Sequence, residues 1–129
     1  MDRSKALAAL SALAHETRLD LIRLLTPCGT EGMAAGQIAE ALGIAAPRLS
    51  FHLSALEQAG LLRSRKLARH VFYSVDTHMV GSTISFVLND CCCHHPDVLA
   101  ACSHNRQATG ITDQGLDQGE VAVSGTENT

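Results

Sequence analysis

Aromatic residues are scarce in this chain: they make up 3% of its 129 residues, and tryptophan is absent. Alanine and leucine dominate the hydrophobic 46% of the residues, which favours helices over a β-sandwich. No apolar run approaches the roughly 18 to 20 residues that span a bilayer. The N-terminal segment also lacks the apolar stretch and small-residue cleavage site of a signal peptide. We therefore expect a cytoplasmic protein with no membrane partner.

The charge of the chain is distributed unevenly. Taken alone, the formal net charge of −3 argues against nucleic acid as a partner. Between Arg48 and His70, however, there are five bases and one acid, whereas residues 107–129 hold four acids and no base. That tail has few large apolar residues to offset its conformational entropy. We expect a folded domain over residues 1–104 and a disordered acidic tail over residues 105–129.

Apolar residues recur at helical spacing in four segments before Gly60. The third helix ends at Gly43, and Pro47 suits the first turn of the fourth, where its missing N–H costs nothing. Two helices joined by a tight turn with glycine are typical of a helix-turn-helix. We assign His15 and Glu16 to the start of the second helix. The predicted apolar stripes are Leu7, Leu10, Leu13 and Ala14; Leu19, Ile22 and Leu25; Ile38, Ala41 and Leu42; Leu49, Leu53 and Leu56.

The pattern changes after Gly60. Two β-prone runs, Leu61–Arg65 and His70–Val75, predict a hairpin with a basic tip. Helical spacing returns from Thr77 to about Cys91, with Asp76 as the cap of this last helix. The predicted order is α-α-α-α-β-β-α: a mainly α fold with a small β-hairpin, which is a winged helix-turn-helix. The apolar residues of the last helix need a partner, and with the first helix they favour a homodimer.

The N-terminal turns of a recognition helix meet base edges in the major groove. On the fourth helix we expect DNA contacts from Arg48, Ser50, Phe51 and His52. The alternative for His52 is packing against the neighbouring helix, and for Ser50 a position on the exposed helix surface. Gln37 is a candidate for a phosphate contact or for a helix cap. Basic residues crowd the hairpin, where phosphate contact competes with ordinary solvated charge: Arg63, Arg65, Lys66 and Arg69.

Cysteines cluster near the end of the last predicted helix. Cys91, Cys92 and Cys93 are consecutive, and Cys102 follows nine residues after Cys93. An odd number of cysteines, so clustered, is not typical of a disulfide framework. Thiolates select soft ions, and three of them suit As(III). We expect Pro96 to break the helix, so that the chain folds back and brings Cys102 towards the triplet.

The segments AHETRLDLIRLL and APRLSFHLSALEQAGLLRSRKLARHVFYSV resemble the second helix and the recognition helix and wing of the ArsR/SmtB repressors. The resemblance covers about residues 5 to 100. It implies a homodimer joined through its first and last helices, which binds double-stranded operator DNA and leaves it when a metal or metalloid binds. A cysteine pair followed by another cysteine also resembles the arsenite or antimonite site of that family. We therefore expect As(III) or Sb(III) as inducer, held by Cys92, Cys93 and Cys102 with Cys91 as a substitute.

Other signals remain open for the same fold. Zn(II), Cd(II) or Pb(II) could bind cysteine together with His94 or His95, and His104 lies close by. Vicinal thiols could instead oxidise to a disulfide. A metal-buffering or protein-interaction module that does not bind DNA is a third class. We expect no organic cofactor and no enzyme, because the sequence contains no nucleophile–base pairing and no glycine-rich phosphate loop.

Overall fold

The first helix, α1 (Arg3–Leu13), turns its alanines inward rather than its leucines. In the computed structural model, which describes residues 1–103, Ala6, Ala9 and Ala12 are buried, whereas Leu7 is 58% and Leu10 39% exposed. Of the leucines predicted as an apolar stripe, Leu7 and Leu10 therefore lie outside the core of this chain, whereas Leu13 packs against it. Asp2 caps the helix, its carboxylate accepting from the N–H of Lys5 at 2.8 Å.

The second helix, α2 (Glu16–Leu25), begins where His15 caps it: His15 Nδ1 accepts from the N–H of Thr17 at 3.1 Å. This cap confirms the assignment of His15 to helix initiation. Leu25 is buried as predicted, but its buried partner is Leu21, and Leu19 is 55% exposed. The predicted stripe was therefore wrong at Leu19. Two overlapping series of apolar residues in this helix repeat with the same 3.6-residue period, so the spacing alone does not show which series faces the core.

Two further helices form the centre of the domain. They are α3 (Ala35–Leu42) and α4 (Ala46–Gln58). Gly43 ends α3 with φ of 65°, a left-handed conformation that glycine adopts without a Cβ clash. The core confirms the stripe predicted for α4, since Leu49, Leu53 and Leu56 are all buried. Their neighbours in the core are Ala9, Ala12, Leu21, Leu25, Ile38, Leu61 and Leu62.

A three-stranded antiparallel sheet flanks the helices, and its strands are β1 (Met33–Ala34), β2 (Leu62–Leu67) and β3 (His70–Val75), in the spatial order β1-β3-β2. The hairpin pairs β2 with β3, so β3 has its predicted bounds, whereas β2 begins one residue later and ends two residues later than predicted. The turn is correspondingly short, and Ala68 in it has φ of 58°. A two-residue strand, β1 (Met33–Ala34), pairs with β3 and was missed by the sequence prediction.

The last predicted helix is interrupted. Regular helix α5 runs over Thr77–Phe86, and a π-helical turn, Val87–Cys91, follows it. Pro96 does not simply end a helix: it begins another, α6 (Pro96–Ser103), because proline fits the first helical turn as well as it breaks an interior one. The mainly α winged helix-turn-helix is confirmed, and β1 and α6 are added to it.

The chain divides between Val87 and Leu88 into two units. The helix-turn-helix, the sheet and α5 belong to the first, and the cysteine triplet and α6 belong to the second. The predicted domain boundary at residue 104 stays a prediction, because the tail and His104 lie outside the described residues. Over residues 1–103 no helix is long and apolar enough to cross a membrane.

Candidate nucleic-acid interface and thiol segment

The exposed face of α4 is polar and carries one aromatic ring. Arg48, Ser50 and Ser54 are exposed, and Phe51 is 65% exposed. The buried residues of the same helix sit between them in the sequence, since a period of 3.6 residues separates two faces of one helix. The structure thus presents three of the four α4 residues that the sequence predicted for DNA contact: Arg48, Ser50 and Phe51.

His52 is the exception. It is 3% exposed, and its Nδ1 accepts from Arg18 Nε at 3.1 Å. The ring of His15 lies 4.5 Å from the ring of His52, centroid to centroid. The prediction of a DNA contact for His52 is therefore wrong for this conformation, and the alternative of packing against a neighbouring helix describes the structure. Because its side chain bonds Arg18 inside the domain, His52 is not part of the exposed face of α4.

Burial changes the protonation of His52. Desolvation lowers the pKa of the imidazole below its ordinary 6.5, and the nearby His15, Arg18 and Arg48 lower it further. The imidazole is thus neutral near pH 7, with its proton on Nε2, because Nδ1 accepts from an arginine that has no acceptor of its own. Sequence reasoning missed Arg18 entirely, although it lies in the first of the two segments that resemble the repressor family.

Gln37 caps the start of α3. Its Oε1 accepts from the backbone N–H of Ala34 at 3.2 Å, which is the capping role weighed against a phosphate contact. The side chain is exposed, and its NH₂ group is the part that could still donate to a phosphate.

The basic residues of the hairpin fall into two pairs. Arg63, near the base of the hairpin, donates from Nε and Nη2 to Asp76 Oδ2 at 3.1 and 3.0 Å. Arg65 lies over the Phe72 ring at 4.9 Å and donates to the Glu31 carbonyl at 3.1 Å. These two side chains are held by the protein itself.

Lys66 and Arg69 form the second pair. Both are exposed: Lys66 is the next-to-last residue of β2, and Arg69 lies in the two-residue turn that joins β2 to β3. Because neither cation has a side-chain partner within the described part of the chain, these are the two wing residues best placed to meet a phosphate backbone. We refer to Lys66 and Arg69 as the wing-tip cations.

Asp76 confirms its predicted role as the cap of α5. Its Oδ1 accepts a hydrogen bond from the N–H of Met79 at 3.1 Å, while its Oδ2 accepts hydrogen bonds from the guanidinium of Arg63. The Met79 N–H is the main influence that lowers the pKa of this carboxyl, and Arg63 adds to it against the opposing effect of burial. One carboxylate therefore joins the hairpin to the start of α5.

The four clustered cysteines are free thiols; the triplet lies on a distorted stretch of backbone, whereas Cys102 lies in the regular helix α6. Cys91 ends the π-helical turn, and Cys93 and His94 have φ of 51° and 57°. Positive φ costs a residue with a Cβ of order 1 kcal/mol or more, so this segment is locally strained. Cys91, Cys93 and Cys102 are exposed and Cys92 is half-buried. Cys28 lies far away in sequence, with its thiol directed at the Leu24 carbonyl at 3.6 Å.

The thiols and imidazoles of this segment are suitable ligands for a soft ion, but in this conformation they are not close enough together to bind one. Four thiols and the imidazoles of His94 and His95 lie within twelve consecutive residues. Among residues 1–103, however, no three Cys, His, Asp or Glu side chains are grouped closely enough to hold a metal ion. Cys102 and the triplet therefore form no three-donor group in this conformation, and Pro96 begins a helix rather than only ending one.

A helix-turn-helix with a polar α4 face and a basic wing defines a winged-helix regulator domain. A family described as "Helix-turn-helix domain" matches residues 13–65. The regulator YgaV from Escherichia coli is 31% identical over 88 residues, which cover 68% of this chain and 87% of YgaV. The chain belongs to the family of helix-turn-helix transcriptional regulators that includes YgaV. Its relatives are regulators and not enzymes.

Two more proteins are similar over shorter or structural alignments. The arsenical resistance operon repressor of Escherichia coli is 36% identical over 67 residues, which cover 52% of this chain and 56% of that repressor. The structure of reduced HlyU from Vibrio cholerae superimposes with a TM-score of 0.54 at 29% identity, covering 65% of this chain and 86% of HlyU.

Proposed function

We propose that this regulator is a homodimeric repressor that binds operator DNA and leaves it when As(III) or Sb(III) binds its clustered cysteines. The observation that carries the DNA-binding part is the exposed α4 face, where Arg48, Ser50 and Phe51 project beside a basic wing. An arginine can make two hydrogen bonds to guanine, a serine can donate to bases or phosphates, and a phenylalanine ring can touch a thymine methyl. The wing-tip cations would supply phosphate contacts.

The dimer is proposed from the apolar side chains that α1 and α5 leave in solvent. Leu7 and Leu10 on α1 are exposed, and Ile84 on α5 is 52% exposed. The resemblance to the ArsR/SmtB repressors implies a homodimer through its first and last helices, and α1 is that first helix. A second copy covering these side chains would remove apolar surface from water at about 25 cal/mol per Å². Two copies of α4 would then meet two half-sites of an operator.

The inducer is proposed from thiolate chemistry and from a relative. As(III) and Sb(III) are soft and bind thiolates, and the exposed Cys93 and Cys102 and half-buried Cys92 offer three, with Cys91 as substitute. One relative of this chain is named as an arsenical resistance operon repressor. Because the described conformation does not gather three donors, binding requires a rearrangement of the segment that follows α5.

A thiol-redox signal is the second candidate. It is favoured by consecutive free cysteines of which Cys91 and Cys93 are exposed, and by the similarity to a regulator whose solved form is named as reduced. Two vicinal thiols would lose two protons and two electrons to an oxidant such as a peroxide and form one disulfide. Zn(II), Cd(II) or Pb(II) at cysteine and His94 or His95 is the remaining metal alternative.

One titration separates these signals. The full chain is used to select a tight-binding sequence from a random duplex DNA library, and mobility shift then measures its release by As(III), Sb(III), Cd(II), Zn(II) and hydrogen peroxide in parallel. Release by As(III) or Sb(III) at concentrations where Zn(II) has no effect is the expected result. Release by peroxide alone, reversed by a thiol reductant, would instead support the redox signal.

Cysteine variants test the ligand assignment. Cys102→Ser should abolish the As(III) response while leaving DNA affinity intact, and Cys92→Ser should weaken that response, with Cys91 as the substitute ligand. Cys28→Ser is the matched control that should respond like the wild type. As(III) release that survives in both cluster variants would overturn the assignment. A wild-type chain that selects no sequence from the library would overturn the repressor proposal as a whole.

A further inference from the structure

Arg18 connects the two segments that resemble the repressor family. It lies on α2, and its Nε donates to Nδ1 of His52 on α4 at 3.1 Å, across 34 positions of sequence. The bond is screened from water on one side, because His52 is 3% exposed. A hydrogen bond from a charged donor in such a place is stronger than one between neutral groups.

The same guanidinium makes two further contacts. Its Nη1 donates to the carbonyl of Ala12, near the end of α1, at 3.4 Å. Its central carbon lies 5.6 Å from the centroid of the Phe51 ring, within the range of a cation–π contact. One side chain thereby reaches the end of α1, the buried side of α4 and the exposed aromatic ring of α4.

The contact with His52 requires a neutral imidazole. Arginine donates but does not accept, so protonation of His52 at Nδ1 would break the bond and face two cations towards each other. The titratable and charged groups around His52 are His15 just before α2, Arg18 on α2 and Arg48 on α4 itself, while α1 contributes the Ala12 carbonyl through Arg18. His15 also uses its Nδ1 as an acceptor, for the N–H of Thr17.

We propose that Arg18 is a positioning residue for sequence recognition, which fixes the rotation of α4 about its own axis through His52 and Phe51. This inference rests on the proposed DNA-binding function. A helix held at one rotation presents Arg48 and Ser50 to the same base edges in every complex. If α4 could turn about its axis by more than about 10–20°, its side chains would lose the alignment that bidentate base contacts need. The wing would still meet phosphates.

The test compares a selected sequence with random duplex DNA over a range of salt concentrations. Arg18→Ala and Arg18→Lys should each weaken binding to the selected sequence about 10- to 100-fold, as expected for loss of a charge-assisted hydrogen bond. Lysine should not rescue, because it cannot reproduce the planar fork. Affinity for random duplex and its salt slope should stay at the wild-type level, since Arg18 is not counted among the phosphate contacts.

His52 provides the conservative rescue and the pH readout. His52→Asn keeps an acceptor near the position of Nδ1 and should retain most of the preference for the selected sequence. Because the pKa of His52 is held below the ordinary 6.5, the wild-type preference should be intact at that pH and should fall only in more acidic solution. His52→Asn should flatten that profile. His78→Asn, a change at an exposed histidine on α5, is the matched control and should keep the wild-type profile.

The outcomes are separable. If Arg18→Ala and Arg18→Lys discriminate sequences as well as the wild type, Arg18 has no positioning role. If their loss comes with a shallower salt slope, Arg18 contacts phosphate directly and the inference is also wrong. If Arg18→Ala does not fold, Arg18→Lys and His52→Asn still decide. A wild-type chain that binds no DNA refutes the proposed function, whereas failure of the variants alone refutes only this inference.

Discussion

Removing the Asp76 carboxylate should lower the free energy of unfolding by an amount that the structure allows us to work out. Asp76→Ala deletes the α5 cap, whose loss typically costs about 1 kcal/mol. It also deletes the partner of Arg63, and an ion pair with one largely exposed member adds about 0.5 kcal/mol. The expected total is about 1.5 kcal/mol. For a domain of this size that corresponds to a fall in Tm of about 6 to 12 °C.

Asp76→Asn divides this effect between its two sources. Asparagine is as good a helix cap as aspartate but carries no charge, so Asp76→Asn should lose the ion-pair part and keep most of the cap. Chemical denaturation followed by circular dichroism measures both variants at neutral pH. Asp20→Ala, a change at an exposed carboxylate on α2, is the control. Equal losses for Asp76→Asn and Asp76→Ala would show that the cap contributes little, and losses no larger than the control would refute the reasoning.

The pH dependence follows from the lowered pKa of Asp76. The N–H of Met79, and then Arg63, hold that pKa below the ordinary 3.8. A carboxyl whose folded pKa is depressed stabilises the protein above its unfolded pKa, and this stability is lost as the pH falls through the folded value. The difference in unfolding free energy between the wild type and Asp76→Ala should therefore be full at neutral pH and narrow below pH 3.8.

Three other changes have definite expected outcomes. Leu53→Ala, at a residue 1% exposed, should cost about 2 to 5 kcal/mol in denaturation experiments, and a smaller loss would mean that the core closes over the cavity. Gly32→Ala should destabilise strongly, because Gly32 has φ of 72° and a Cβ there would overlap a backbone carbonyl of β3; Gly36→Ala, with nothing within 4 Å, is the control and should be neutral or stabilising. In DNA binding, Lys66→Ala should reduce the salt slope by about 0.9 for each phosphate that the protein no longer neutralises. Arg63→Ala should change the salt slope less than Lys66→Ala does, because Arg63 is bonded to Asp76. A larger change for Arg63→Ala would contradict the distinction between wing bases held by the protein and the wing-tip cations.

The sequence was most informative where one local signal decides the structure. The stripe of α4, the bounds of β3, the end of α3 at Gly43 and the cap at Asp76 depend on residues within a few positions of one another. Strand β1 escaped prediction because two residues are too few to show a period, and its partner lies about forty positions later in the chain. Pro96 was read as a helix end because the same residue is also a frequent helix start.

Other misses come from packing and hydrogen bonds that no local pattern encodes. In α1 both the leucines and the alanines repeat at helical spacing, and hydrophobicity alone favours the leucines. The structure buries the alanines because small side chains allow α1 to approach its neighbouring helices closely. For His52 the deciding group is Arg18, which is far away in sequence, so local pattern could not choose between DNA contact and packing against the neighbouring helix. The candidate thiol segment was found by its composition, but the path of its backbone was not.

The turn at the end of the wing has a mechanical consequence. Ala68 holds a positive φ that glycine would adopt more easily, and it joins two strands in a turn with no spare residue. A glycine there would relax the backbone but would also widen the range of conformations that the loop samples. With alanine, the backbone of the turn samples fewer conformations, so the Cα atoms from which the Lys66 and Arg69 side chains extend keep a narrower range of separations.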